Sequence, residues 1–223
     1  SGRLSDRDAR LRPEGKQGML TVSGPRLAEY YRKQAQAWEH LALMKVRAVG
    51  GDTGFAEAVE REAREIAFST LPSLADLEQI ETIRQKLVQE STPLNLKKCE
   101  GGLVELEFAV RLLQWRHASK APQVKRPDVM GAVQTLEAAG CMSSEDAAML
   151  RKAYALYRRI ENRIRIRHGR SETAHLPETP AERADLAIRL GIEGDLIELL
   201  AAQRARVHAV YRRSLEDLMA QLV

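Results

Sequence analysis

Apolar residues recur every three or four positions through most of this chain, and residues that start or stop helices stand between the stripes. Leu74, Leu77, Ile80, Ile83 and Leu87 make one stripe, opened by Ser73 and Asp76 in a near capping box. Leu27, Tyr30, Tyr31, Trp38, Leu41 and Met44 make another, predicting one helix from Ser23-Gly24-Pro25 to about Arg47, stopped by Gly50-Gly51. Asp52 or Thr53 caps a helix that ends before Pro72, and Gly101-Gly102 precedes one from Leu103 to His117. A loop around Pro122 and Pro127 leads to a short helix ending at Ala139. Ser143 or Ser144 opens the longest candidate, to about Arg167, with Leu150, Ala153, Tyr157, Ile160 and Ile164 on one face. Thr179-Pro180-Ala181-Glu182 starts a helix that Gly191 ends, and a last one runs from about Asp195 to Gln221. Gly169 to Pro177 is polar and reads as a mobile loop. Strand patterning is confined to Leu4–Leu11 and Met19–Val22. The expected fold is mainly α, a helical bundle behind a small β-containing segment.

Composition agrees with helix and narrows the partners. Aromatic residues are 4% and charged residues 30% of 223, and 44% are hydrophobic, enough for a real core. The net charge of +4, from 35 Lys+Arg against 31 Asp+Glu, is too small to argue for nucleic-acid binding. Cys99 and Cys141 form no CxxC pair, which suits a reducing cytoplasm, and no apolar run reaches the roughly 20 residues a membrane span needs.

Asp8-Ala9-Arg10-Leu11-Arg12-Pro13 is the segment richest in chemistry. On a strand, Asp8, Arg10 and Arg12 point to one side, a hard carboxylate beside two guanidinium groups. That set suits a metal ion and a phosphate chain, although a solvated turn with a surface ion pair fits the spacing equally. Lys97 and Lys98 precede Gly101-Gly102 at a helix start, where free N–H groups favour an anion. Glu105 and Glu107, two apart, do not share a helix face and make no catalytic dyad. Arg159, Arg163, Arg167 and Arg170 form a basic stripe that could touch phosphate or RNA or be a solvated face. The five histidines are scattered, with no HExxH, so a zinc site is not expected.

Together these segments resemble one family, the bifunctional glutamine synthetase adenylyltransferase/adenylyl-removing enzymes. The resemblance runs from Gly2-x-Leu4 through Asp8-x-Arg10-Leu11-Arg12-Pro13-x-Gly15-x-x-Gly18-x-Leu20, then Tyr30-Tyr31, Ala37-Trp38-Glu39-His40-x-Ala42-Leu43, Lys45-x-Arg47 and Gly51-Asp52. It continues through Gly101-Gly102-Leu103-x-Glu105-Leu106-Glu107-Phe108, Arg116-His117-Ala118, Arg158-Arg159-Ile160-Glu161-Asn162 and Leu176-Pro177. Ser5 and Arg7 depart from it, standing where the family has an aromatic and an aliphatic residue.

The resemblance implies a polymerase-β-type nucleotidyltransferase domain followed by a helical domain. Residues 1–22 would be the end of the first and 23–223 the second, with two further metal carboxylates upstream. It implies that Asp8 is catalytic and a Mg²⁺ ligand, that Arg10, Arg12, Lys98, Gly101 and Gly102 face the phosphates of ATP, and that the chain alone is inactive. The implied partners are glutamine synthetase and a PII-type nitrogen regulator, with no nucleic acid or membrane. Trp38-Glu39-His40 resembles the adenylyl-transferring half and Arg158-Arg159-Ile160-Glu161-Asn162 the removing half; the transferring half is the reading adopted. The alternatives are a non-catalytic helical module docking glutamine synthetase or a regulator, and an RNA-binding helical protein.

Overall fold

The computed structural model describes residues 19, 21–168 and 174–222, with backbone only at 167 and 168. The chain divides after Pro72 into two units. Of the expected strands, 1–18 and 20 lie outside the described residues, and residues 19, 21 and 22 are not in a strand.

In the first unit, α1 (Gly24–Lys33) and α2 (Ala37–Leu43) both pack on α3 (Thr53–Ala67). The single helix expected from Ser23 to Arg47 is thus two. Gln36 is extended, and its N–H donates to the Glu39 carboxylate at 2.9 Å, which also accepts from the Tyr30 hydroxyl at 2.7 Å. Those bonds begin a new helix at Ala37 instead of continuing α1. Tyr31, Leu41, Leu43, Met44, Ala63 and Ile66 are buried between the three helices. Asp52 caps α3 as expected, accepting from the Phe55 N–H at 2.9 Å.

The second unit holds α4 (Leu74–Gln89), α5 (Leu103–His117), a 3₁₀ turn (Pro122–Val124), α6 (Val129–Ala138), α7 (Ser144–His168), α8 (Pro180–Leu190) and α9 (Leu196–Gln221). α5 is the axis, packed against α6, α7 and α9, while α9 also meets α4, α7 and α8. Because neighbours surround it, α5 buries polar Glu105, Arg111 and Gln114 along with Leu106, Val110, Leu113 and Trp115. Arg111 and Gln114 hold the following loop: Arg111 donates to the carbonyls of Arg126 at 2.9 Å and Pro127 at 2.6 Å, and Gln114 to that of Val124 at 2.5 Å. α9, at 26 residues, exceeds by one the helix expected to be longest, α7, at 25.

The stretch read as a mobile loop is different where it is described. Residues 174–176 pair antiparallel with 94–96: Leu96 N–H donates to Ala174 O and Leu176 N–H to Leu94 O, both at 2.8 Å. Ala174 and Leu176 are buried there. Residues 169–173 of that stretch lie outside the described residues.

Candidate functional site

Asp8, Arg10 and Arg12 lie outside the described residues, so the sequence-predicted site is visible only at Lys98, Gly101 and Gly102. These sit on the turn that leads into α5. The Asn95 side-chain oxygen accepts from the N–H groups of Lys97 and Lys98, both at 3.0 Å, and both lysine side chains are exposed. The glycines point inward. Gly101 has φ of 65°, donates its N–H to the Glu105 carboxylate, and accepts the Tyr157 hydroxyl at 3.0 Å. Gly102 N–H bonds Cys99 O at 2.9 Å, Leu103 N–H bonds Leu96 O at 3.1 Å and Val104 N–H bonds Lys97 O at 3.0 Å. These donors at the start of α5 are therefore taken by the chain's own carbonyls, and Glu105 brings a negative charge into the first turn. A packing demand explains both glycines in this structure; any contact with an anion falls to Lys98 on the outer side.

Behind the turn lies a cluster that the sequence reading missed. The Glu105 side chain is 2% exposed, and its Oε1 lies 2.6 Å from His208 Nδ1 and 3.4 Å from Arg84 Nη1. Arg84 grips Glu81 with two bonds of 2.8 Å, and its guanidinium stands over the Tyr211 ring at 5.4 Å. The Tyr211 hydroxyl donates to Glu81 at 2.7 Å, and Arg212 approaches the same carboxylate at 3.7 Å. Charges from α4, α5 and α9 thus answer one another inside the fold. Burial followed by the bond to Glu81 pushes the Tyr211 phenol far above its usual value. Two local signals existed in the sequence: Glu81 and Arg84, and His208 and Tyr211, are each three apart and share a helix face.

Glu81 gives the cluster a pH dependence. Burial alone would raise its carboxyl, but the bonds from Arg84, Tyr211 and Gln85 outweigh burial and bring it from 4.5 down to about 2. A depressed folded value means that the stabilisation is complete above about pH 4.5. It is lost as pH falls through the folded value, and because Glu81 is partly open to solvent, screening leaves its size at about 1–2 kcal/mol. The urea midpoint is therefore expected to fall between pH 5 and pH 2.5, and Glu81→Gln to flatten that fall; equal slopes in both proteins would refute the assignment.

Of the basic stripe, Arg159 makes a structural bond, and the side chains of Arg167 and Arg170 lie outside the described residues; the arginines beside the stripe are paired with acids. Arg158 bonds Glu161 at 2.7 Å and reaches Glu107 at 3.5 Å, and Arg165 bonds Glu161 at 3.1 Å. Arg159 donates to Leu190 O at 2.6 Å, closing the C-terminal end of α8, whereas Arg163 is exposed. Among the described residues no group of three His, Cys, Asp or Glu side chains could hold a metal ion, and no helix is long and apolar enough to cross a membrane.

Comparison with known proteins matches the two units to two family models. Residues 1–62 match the model described as glutamate-ammonia ligase adenylyltransferase, and residues 73–221 match that described as GlnD PII-uridylyltransferase. A bifunctional glutamine synthetase adenylyltransferase/adenylyl-removing enzyme of Streptomyces coelicolor is 32% identical over 95% of this chain and 21% of its own length. Proteins of the same name from Xanthomonas axonopodis pv. citri and Pseudomonas syringae pv. tomato are each 30% identical, over 92% and 94% of this chain and 22% of their own lengths. The chain thus spans about a fifth of the length of these relatives. With matches that run from residue 1 to residue 221, the chain belongs to the glutamine synthetase adenylyltransferase/adenylyl-removing enzyme family, its second unit matching the model described for PII-uridylyltransferase.

Proposed function

We propose that the chain is part of an enzyme that transfers AMP from ATP to a tyrosine hydroxyl of glutamine synthetase, and that it belongs to the transferring half. The observation that carries this reading is the match of residues 1–62 to the adenylyltransferase model, a span that includes Asp8, Arg10 and Arg12. Asp8 is a hard oxygen donor of the kind Mg²⁺ takes, and the described residues offer no competing metal cluster. Bound Mg²⁺ would neutralise charge on the triphosphate. Arg10 and Arg12 meet phosphate oxygens.

The test uses the whole enzyme that contains this sequence. Asp8→Asn is expected to lower AMP transfer at least about a hundredfold, the scale on which one well-placed electrostatic group acts, while adenylyl removal is kept. Loss of removal with transfer intact would assign the chain to the other half, and loss of neither would sink the role of Asp8. The 223-residue chain by itself is expected to show no transfer, because the family chemistry needs two further carboxylates.

A further inference from the structure

In the second unit α7 and α8 run side by side in opposite directions. Arg159 of α7 reaches Leu190 O of α8 at 2.6 Å, and farther along, residues 163–166 stand beside 185 and 186. Between the two helices and Pro177 opens a groove of about 300 Å³, its apolar walls supplied by Ile164, Ile166 and Leu186. Ile164 and Leu186 are buried, whereas Ile166 is 78% exposed. Ile188, one turn beyond Asp185 on the same side of α8, is 77% exposed. A single exposed aliphatic is ordinary. Two of them flanking one apolar groove make a contiguous patch, the kind of surface that marks an interaction site.

Charge on the rim says what kind of partner fits. Arg189 and Asp185 bond each other at 2.8 Å and cancel. Arg163, which lines the groove, makes no hydrogen bond or ion pair with any described residue. Arg159, exposed one turn earlier, keeps its full charge because its bond is to a neutral carbonyl. The rim is therefore positive, and a second copy of the chain would set these arginines against one another. Nucleic acid would meet the cations but no aromatic ring, since none lines the groove, and would leave the isoleucines in water. Residues 169–173, Gly-Arg-Ser-Glu-Thr, carry no large apolar side chain with which to cover it. A furrow between two adjacent helices receives a third helix whose apolar side chains recur one turn apart.

We propose that this groove docks an acidic amphipathic helix of a protein partner. The apolar side of that helix fills the space between Ile164, Ile166 and Leu186 and covers Ile188, and its carboxylates pair with Arg163 and Arg159. None of these residues enters the AMP-transfer reading, so the two stand or fall separately.

The test is fluorescence anisotropy of a labelled, end-capped peptide titrated with the 223-residue chain. The peptide is a helix of about 14 residues, built from glutamate with leucine at every third and fourth position. A version with lysine in place of every glutamate and a single-stranded RNA of similar length are the comparisons. The acidic peptide is expected to bind in the micromolar range, more weakly as salt is raised, and the lysine peptide and the RNA are expected not to bind. Ile166→Gln with Ile188→Gln should weaken binding about tenfold or more, and Arg163→Gln about three- to tenfold. All three side chains are exposed, so the fold should survive, which circular dichroism checks. No binding of the acidic peptide, or binding unchanged in these variants, would overturn the proposal. So would equal binding of the lysine peptide, which would show that charge selects nothing. RNA binding that depends on Arg163 and not on the isoleucines would make the stripe a nucleic-acid contact instead. Self-association in sedimentation, lost in Ile188→Gln, would make a second copy the occupant and likewise refute an acidic partner.

Discussion

Replacing Gly101 with alanine is expected to destabilise the 73–223 unit by about 4 kcal/mol or more, from two separate causes. Gly101 has φ of 65°, where an L-residue with a Cβ costs roughly 1–2 kcal/mol. The larger cause is space. A Cβ there would lie 2.1 Å from the Arg204 carbonyl oxygen, 2.5 Å from its carbon and 2.6 Å from its Cα. All three are backbone atoms of α9, so no rotamer change relieves the overlap, and α9 must move away from α5. That movement would pull on the bond between Gly101 O and the Tyr157 hydroxyl and on the Glu105 clamp. Thermal unfolding should show a loss on the order of 10 °C, given about 2–4 °C per kcal/mol for a domain of this size. Gly140→Ala separates the two causes, since Gly140 has φ of 68° but nothing within 4 Å of the added Cβ. It is expected to cost about 1 kcal/mol. Equal losses at the two positions would show that close approach of α9 is not what requires glycine at Gly101.

Where a boundary is written in local chemistry, the sequence reading and the structure agree. α5 runs from Leu103 to His117 as read, because a glycine pair opens it. Ser73, Thr179 and Asp195 cap the helices that follow them, and Gly191 ends α8 with φ of 64°. The break at 34–36 was not legible, because glutamine is not among the favoured N-cap residues. Its cause is Glu39 reaching back, together with the Tyr30 hydroxyl, a contact between two helices. The 174–176 bridge was hidden for a related reason: its partners lie 80 residues away, and the segment's polarity described only its outer side.

Burial of charge was the hardest feature to read. Glu105, Arg111 and Gln114 look like ordinary polar positions on a helix with one apolar face, yet α5 is enclosed by neighbours on several sides. Only tertiary partners reveal this, and His208 stands 103 residues from Glu105. Of the expected site, Lys98, Gly101 and Gly102 are placed on one turn, while Asp8, Arg10 and Arg12 lie outside the described residues. The family was legible through an ordered set of short motifs, none of which carries the chemistry alone.

Glu105→Ala is expected to cost about 3–5 kcal/mol, because it removes one member of a buried charge cluster and strands the others. The Gly101 N–H would lose its acceptor, and His208 and Arg84 would lose their contacts at 2.6 and 3.4 Å. Glu105→Gln keeps the volume and an oxygen for the Gly101 N–H, so it should cost less, about 1.5–3 kcal/mol, the range of a hydrogen bond to a charged group. Arg84→Met separates the network from a simple count of bonds. It strands Glu81 and Glu105 together, since Arg84 answers both carboxylates. In the double variant Arg84→Met/Glu105→Leu one positive and one negative charge leave together, and apolar groups of similar size take their place. Its cost is therefore expected to fall well below the sum of the Arg84→Met and Glu105→Leu costs, with a coupling of about 1–3 kcal/mol measurable by urea unfolding of all four proteins. Additive costs would mean that Arg84 and Glu105 act independently across their 3.4 Å contact, and that the α4–α5 junction is held by apolar packing alone.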